Sequence, residues 1–359
     1  MPKLTRRSWV LWLPMVAAAG CVAVPRAAEN LPVHVRVMTV AMAEGGPDPA
    51  KWTGEGKWWV RNEQMLSRVV VPGLTEPVLC NTSGHCLMVT GVGPVEAAAS
   101  IMAVGVSSKL DLRRAYFLVA GIAGVSPELG TVGAVAWAEW IVSADSKSEI
   151  DIRELPPTFE FSGFRMLCQE PWCDGWPGEV GAYHLNPTLQ GWAFRLSHNV
   201  KLADSDAARS YRSEYPADSA ARSAPSVLKG DVLAGSAWWH GAILGRWATW
   251  WVKQWTGGAG RYCVTSNEDF AIVATLARLA KEGRVDLGRV MVLRAASNFD
   301  RPYPGQQALQ SLLPVKGGYP LALENAYRAG SVVAGHIVTN WQRWKTGVPP
   351  LDGNPGSAH

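Results

Sequence analysis

Five short segments of this chain set ionisable, amide or aromatic side chains where a fold could use them together. They are Glu44-Gly45-Gly46, Gly121-Ile122-Ala123-Gly124, Ser236-Ala237-Trp238-Trp239-His240, Ser266-Asn267-Glu268-Asp269 and Ser297-Asn298-Phe299-Asp300. Four of them follow apolar runs with the pattern of buried strands, and the fifth opens a helical pattern. In open α/β sheets ligands bind in the loops beyond the carboxyl ends of strands, so these segments are the first places to look for a site. Carboxylates there can accept hydrogen bonds or take a proton, amides can donate and accept, and tryptophans offer a flat face for stacking. Each residue also has a plainer role open to it. Glu44 reads as a solvated loop acid, Glu268 as an acid complementing a helix start, and Asn298 as a turn residue ending a strand. The glycines of 121–124 read as a tight strand-to-helix connection.

The elements that must position these groups alternate in type. His34–Met42 is a β-branched run ending in a loop, and Glu76–Leu79 with Cys86–Thr90 reads as a hairpin around a Ser-Gly turn. Pro94–Val106 is Ala-rich with Pro at a first-turn position, which predicts a helix. Ala115–Ala120 predicts a buried strand, and Val132–Val142 a strand or strand pair. Residues 144–180 are irregular and rich in Pro and acids, an insertion. Beyond it come helices over Asn186–Leu196 and Ser205–Tyr211, a strand over Gly230–Ser236, a helix over Gly241–Lys253 and a strand over Gly260–Thr265. Glu268–Lys281 has helical spacing with Asn267 as its cap, Arg289–Ala296 is a strand, and Ala322–Trp341 a final helix. This alternation predicts an α/β domain with a mixed sheet flanked by helices, spanning 29–346, with a tail over 347–359.

The 359 residues are 48% apolar and 18% charged, which excludes disorder as the main state. The formal charge of +4 is concentrated at the start: residues 1–28 hold Lys3, Arg6, Arg7 and Arg26 and no acid, leaving 30 basic against 30 acidic residues beyond. A neutral body argues against nucleic acid as a partner. The same 28 residues, with an apolar run from Ser8 and small residues after it, read as an export signal. Thr5-Arg6-Arg7-Ser8-Trp9-Val10 resembles a twin-arginine signal, and Ala18-Ala19-Gly20-Cys21 also fits a lipoprotein box with Cys21 lipidated. A periplasmic or extracellular location follows. Later windows fall short of the roughly 18 to 20 apolar residues a membrane span needs. The nearest, Ala237–Trp255, is interrupted by His240, Arg246, Lys253 and Gln254.

An oxidising compartment suits the cysteines. Cys80 with Cys86, and Cys168 with Cys173, could each close a small loop as a disulfide, while Cys263 in an apolar run reads as a buried thiol. Cys80, His85 and Cys86 are also near enough in sequence for a metal, but no second Cys/His pair completes a four-ligand set. No metal or cofactor is expected.

Taken in order, the segments resemble the nucleoside phosphorylase and nucleosidase superfamily. More closely, the chain past its signal resembles the purine nucleoside permease family, which shares that fold. The runs that carry this are Val119-Ala-Gly-Ile-Ala-Gly-Val-Ser-Pro127, Gly230-Asp-Val232, Thr265-Ser-Asn-Glu-Asp269 and Leu293-Arg-Ala-Ala-Ser-Asn-Phe-Asp300. The resemblance implies that Glu268 accepts hydrogen bonds from the ribose 2′ and 3′ hydroxyls. It puts Asn298 against the purine ring, with Asp300 as a second acid in reach. Trp238 stands at an aromatic position that stacks on the base, a role Trp239 or His240 could share. Tyr183 and His184 are candidates for the ligand's 5′ end. Glu44 falls within a residue of the acid that activates water in hydrolytic relatives. In the segment beginning at Gly121, backbone amides could hold an anion, but Ile122 stands where a hydroxyl is expected and no Arg precedes it, which disfavours phosphorolysis. The expected function is exported purine nucleoside binding in nucleoside uptake, with a membrane transport partner to move the ligand. The alternative is an exported nucleosidase. The ligand is a purine nucleoside or nucleobase, and homo-oligomers are common in this fold.

Overall fold

The computed structural model describes residues 31–157, 163–166, 181–312 and 317–350. At its centre is a mixed sheet of 12 strands. From one edge the strands run Ala182–His184, Trp140–Ser143, Asp231–Ala234, Tyr262–Ser266, Tyr116–Val125, Val37–Ala41, His85–Val89, Val78–Cys80 and Ser67–Val69. Val290–Phe299 also pairs along Tyr116–Val125 and carries Val135–Ala138 and then Val227–Lys229 beside it. Val37–Ala41, Tyr116–Val125 and Val290–Phe299 are mutually parallel neighbours, so their carboxyl ends open on one side.

Period-two alternation sends these strands' side chains into two cores. Met38, Val40, Phe117, Val119, Val290 and Val292 enter one; Val37, Ala41, Tyr116, Leu118, Met291 and Leu293 enter the other. Helices Pro94–Val106 and Asp269–Lys281 cover the first face through Ile101, Val104, Ile272 and Leu276. The long helix Gly318–Thr339 covers the second through Ala322, Ala326, Ala329, Val333 and Ile337, spaced at three and four residues. Truncating a fully buried position such as Leu293 to Ala costs about 2–5 kcal/mol. Local signals fix the ends: Pro94 sits in the first turn of its helix, and Asn186 caps Pro187–Ser197 by accepting from the N–H groups of Thr188 and Leu189.

Three local expectations are corrected. Gly121–Gly124 is strand rather than turn, because it pairs residue by residue with Arg294–Asn298. Val290–Phe299 likewise runs on through Ser297 and Asn298, with a register shift between Ala296 and Asn298. Asn267 is not the helix cap: its Nδ2 donates to the Gly235 carbonyl at 2.8 Å, and Glu268 occupies the cap position. Within the expected insertion, Lys147–Glu149 pairs antiparallel with Phe164–Met166. The export segment, Cys21, Cys168, Cys173 and residues 351–359 lie outside the described residues. Cys80 and Cys86 face one another across Val78–Cys80 and His85–Val89, joined as a disulfide, and Cys263 is a buried free thiol.

Candidate functional site

A cavity of about 330 Å³ opens at the carboxyl ends of the parallel strands. Met42 and Ala43 enter it from just past the first strand, Ile122 to Gly124 from the second, and Arg294, Ser297 and Asn298 from the third. Thr265 to Glu268, Glu55, Tyr319, Val92, Trp238 and Leu312 complete the lining.

Arg294 forms the charged floor. Its side chain is 2% exposed, between the apolar runs Val290–Leu293 and Ala295–Ala296 of its strand, so it needs partners within the fold. Nε lies 3.1 and 3.0 Å from the two oxygens of Asp269, Nη2 also pairs with Asp269, and Nη1 donates to the Ile122 carbonyl at 2.9 Å. Burial works against the guanidinium's charge, but Asp269, Glu268 and Glu55 outweigh it and hold its pKa above the ordinary value.

Glu268 is the carboxylate aimed into the cavity. Oε1 accepts the Gly93 N–H at 2.9 Å and Oε2 lies 3.4 Å from Arg294 Nη2. Gly93 has φ +93, a conformation that glycine adopts without strain, and this is what turns its N–H toward Glu268. A carboxylate has about four acceptor sites, so two such contacts leave capacity for two ligand hydroxyls.

Glu55, which no sequence signal singled out, is also buried and lines the cavity. Its Oε2 accepts from the N–H groups of Met42 (2.7 Å) and Ala43 (2.9 Å), and Oε1 from Ile122 (2.8 Å). Burial raises its pKa above the ordinary carboxylate value, against the opposing pull of Arg294 and the three N–H groups. Gly121 makes this geometry possible. A Cβ there would sit 2.1 Å from Met42 Cε, 2.6 Å from Arg294 Nη1 and 2.8 Å from Glu55 Oε1. The Tyr319 hydroxyl, also in the lining, has its pKa raised by burial and by the charges of Glu55 and Glu44.

The residues expected from sequence separate into two groups. Glu268, Asn298 and Trp238 line the cavity, with Trp238 67% exposed at its mouth. Asn298 is held by its neighbours: Oδ1 accepts from Ser297 Oγ at 2.8 Å, and Nδ2 donates to the Phe299 carbonyl at 2.9 Å. The others turn elsewhere. Glu44 organises its own loop, accepting from the N–H groups of Thr53 (3.2 Å) and Gly54 (2.6 Å). Asp300 is buried against Tyr262 Oη (2.7 Å) and Arg301 Nε (2.8 Å). Trp239 packs edge-on against Trp247, and His240 Nε2 meets Ser311 Oγ at 2.9 Å with its pKa lowered by burial. Tyr183 packs near Phe270 and His184 stacks on Trp140 at 4.2 Å. Arg294 did carry a signal, since a charge inside an apolar strand demands a buried partner. Glu55 carried none, lying in an irregular Gly54-Glu55-Gly56 stretch.

A mixed sheet with helices on both faces and a carboxylate-lined cavity at its strand ends defines a nucleoside phosphorylase-like α/β protein. The futalosine hydrolase of Helicobacter pylori has this fold: it is 10% identical, covers 84% of this chain and 98% of its own, and superposes with a TM-score of 0.51. The chain belongs to the purine nucleoside permease family, whose model matches residues 34–349. It is 36% identical over 293 residues to a probable purine nucleoside permease of Schizosaccharomyces pombe, covering 77% of this chain and 84% of the relative. To a purine nucleoside permease of Candida albicans it is 30% identical over 301 residues, covering 80% and 74%.

Proposed function

We propose that this chain is an exported purine nucleoside-binding protein that takes part in nucleoside uptake. The observation that carries the reading is Glu268, a buried carboxylate with unused acceptor capacity lining an open cavity, in a chain of the purine nucleoside permease family. Glu268 accepts the ribose 2′ and 3′ hydroxyls, Asn298 contacts the purine, and Trp238 covers the base at the mouth. A separate transport partner moves the ligand across the membrane; among the described residues no helix is long and apolar enough to cross one. The export signal delivers the chain to an oxidising compartment, where the Cys80–Cys86 pair stays oxidised.

Glu55 supports a second reading, hydrolysis. A carboxyl with a raised pKa facing the ligand can take a proton from water as it attacks the anomeric carbon. The C–N bond then breaks and the purine leaves with a proton, giving free base and ribose. Phosphorolysis is disfavoured on electrostatic grounds. One cation, Arg294, already faces Asp269, Glu268 and Glu55, so an incoming phosphate dianion meets no free positive charge there. Incubation of the protein with inosine, guanosine and adenosine in the absence of phosphate, followed by chromatography of free base, separates the readings. Intact nucleoside is the result for a binding protein; base with free ribose is the result for a hydrolase.

A further inference from the structure

The strands that end at the nucleoside-type cavity begin at a second, larger one. Val35 and Arg36 precede Val37–Ala41, and Arg113 and Arg114 precede Tyr116–Val125; these residues line a groove of about 660 Å³. Because the two strands are parallel, the groove and the first cavity lie at opposite ends of the sheet.

The groove is strongly cationic. Its carboxylate, Asp111, is already engaged by Arg113 Nε at 2.9 Å and His34 Nδ1 at 3.1 Å. Arg36, Arg114 and Lys345 remain in excess. Arg36 Nη1 donates to the Val338 carbonyl at 3.2 Å and Lys345 Nζ to Gln342 Oε1 at 2.5 Å, both neutral groups. The Arg114 guanidinium has no hydrogen bond or ion pair among the described residues. Below them the buried Arg289, paired with Asp286 at 3.0 Å, donates to the carbonyls of Arg114 (2.7 Å) and Lys345 (3.2 Å). Arg289 thereby fixes the two backbone points from which Arg114 and Lys345 project. Trp341 adds a flat face, with the Arg36 guanidinium 5.8 Å from its ring centre.

Three unneutralised cations in one concavity repel each other, in a chain that beyond residue 28 carries 30 basic against 30 acidic residues as a whole. We propose that this groove binds a phosphoryl anion, carried by a soluble phosphate compound or by a lipid headgroup. The cations supply charge-assisted hydrogen bonds to phosphate oxygens, and the guanidinium of Arg114 is free to bind them in bidentate fashion. The first cavity has its single arginine fully countered by carboxylates, so phosphate-bearing molecules are directed to the groove. This site does not depend on the nucleoside reading.

Calorimetric titration of the full chain with inorganic pyrophosphate at low salt tests it, beside flotation with phosphatidylglycerol and phosphatidylcholine vesicles. The double variant Arg114→Ala/Lys345→Gln should weaken binding by about tenfold or more for each charge removed. Arg114→Lys should retain part of the affinity, and Glu268→Gln, at the other cavity, all of it. Saturable pyrophosphate binding that fails in the double variant assigns a soluble phosphate ligand. Selective phosphatidylglycerol binding that fails in the same variant assigns a headgroup. Binding of neither probe, or binding that the double variant leaves unchanged, overturns the proposal.

Discussion

Arg294 Nη2 lies 3.4 Å from Oε2 of Glu268, two residues brought together from the last long strand of the sheet and the start of helix Asp269–Lys281. The arginine's firmer hold is on Asp269, which leaves Glu268 oriented but not consumed by the ion pair. A carboxylate kept in place in this way can still accept hydrogen bonds from a ligand.

Replacing Glu268 with Ala should therefore remove ribonucleoside binding while sparing the free base. Losing two hydrogen bonds to a charged acceptor corresponds to a weakening of roughly a hundredfold or more for inosine. Hypoxanthine, which has no ribose, should bind the variant and the parent alike. Calorimetry with both ligands checks this, and equal inosine affinity in the two proteins would remove Glu268 from the ribose site.

Arg294→Met is expected to destabilise the fold by about 3–5 kcal/mol, because it strands the fully buried Asp269 without its partner. Denaturant unfolding measures the loss. The double variant Arg294→Met/Asp269→Leu should recover part of it, since Asp269 is no longer stranded while Glu268 and Glu55 still lose their counter-charge.

Glu55 gives a pH signature. Its pKa in the folded protein is raised above the ordinary value of 4.5, mainly by burial. Its contribution to stability is then fully present below that ordinary value and is lost as pH rises through the folded value. The stability of the parent relative to Glu55→Gln should accordingly fall as pH is raised from about 4.5 toward neutrality. Urea unfolding of both proteins across that range reads the difference directly. A constant difference, or one that grows with pH, would show that the Glu55 carboxyl is not held above its ordinary range.

Asn298→Asp should change the preference between 6-oxo and 6-amino purines, because it exchanges a group that donates and accepts for one that, ionised, only accepts. Competition between inosine and adenosine monitors this. An unchanged preference would place base recognition on other lining residues.

Gly121→Ala should weaken ligand binding and lower stability by about 1–3 kcal/mol, since the added methyl has to displace Met42, Arg294 and Glu55 together. Thermal unfolding and inosine titration report the two effects separately.

Much of the scaffold was legible in the sequence because its signals are local. A β-branched run announced Val37–Ala41, a first-turn proline announced Pro94–Val106, and the Ser-Gly turn announced the hairpin that joins Cys80 to Cys86. What was hidden depends on distant partners. Gly121–Gly124 has turn composition, and pairing with Val290–Phe299 makes it strand. The site divides in the same way. Trp238, Glu268 and Asn298 project into the cavity, whereas Trp239, His240 and Asp300, one or two residues along, turn into packing and hydrogen bonds. Glu55 reaches the site from an irregular stretch through hydrogen bonds to three backbone N–H groups, a relationship that no periodicity encodes.

The central claim, a cavity built for a purine nucleoside, is tested most directly by titrating the full chain with inosine and, separately, with uridine. Saturable binding of inosine, much tighter than that of uridine and lost in Glu268→Ala, is the predicted result. An absence of inosine binding, or equal affinity for both nucleosides, would contradict it.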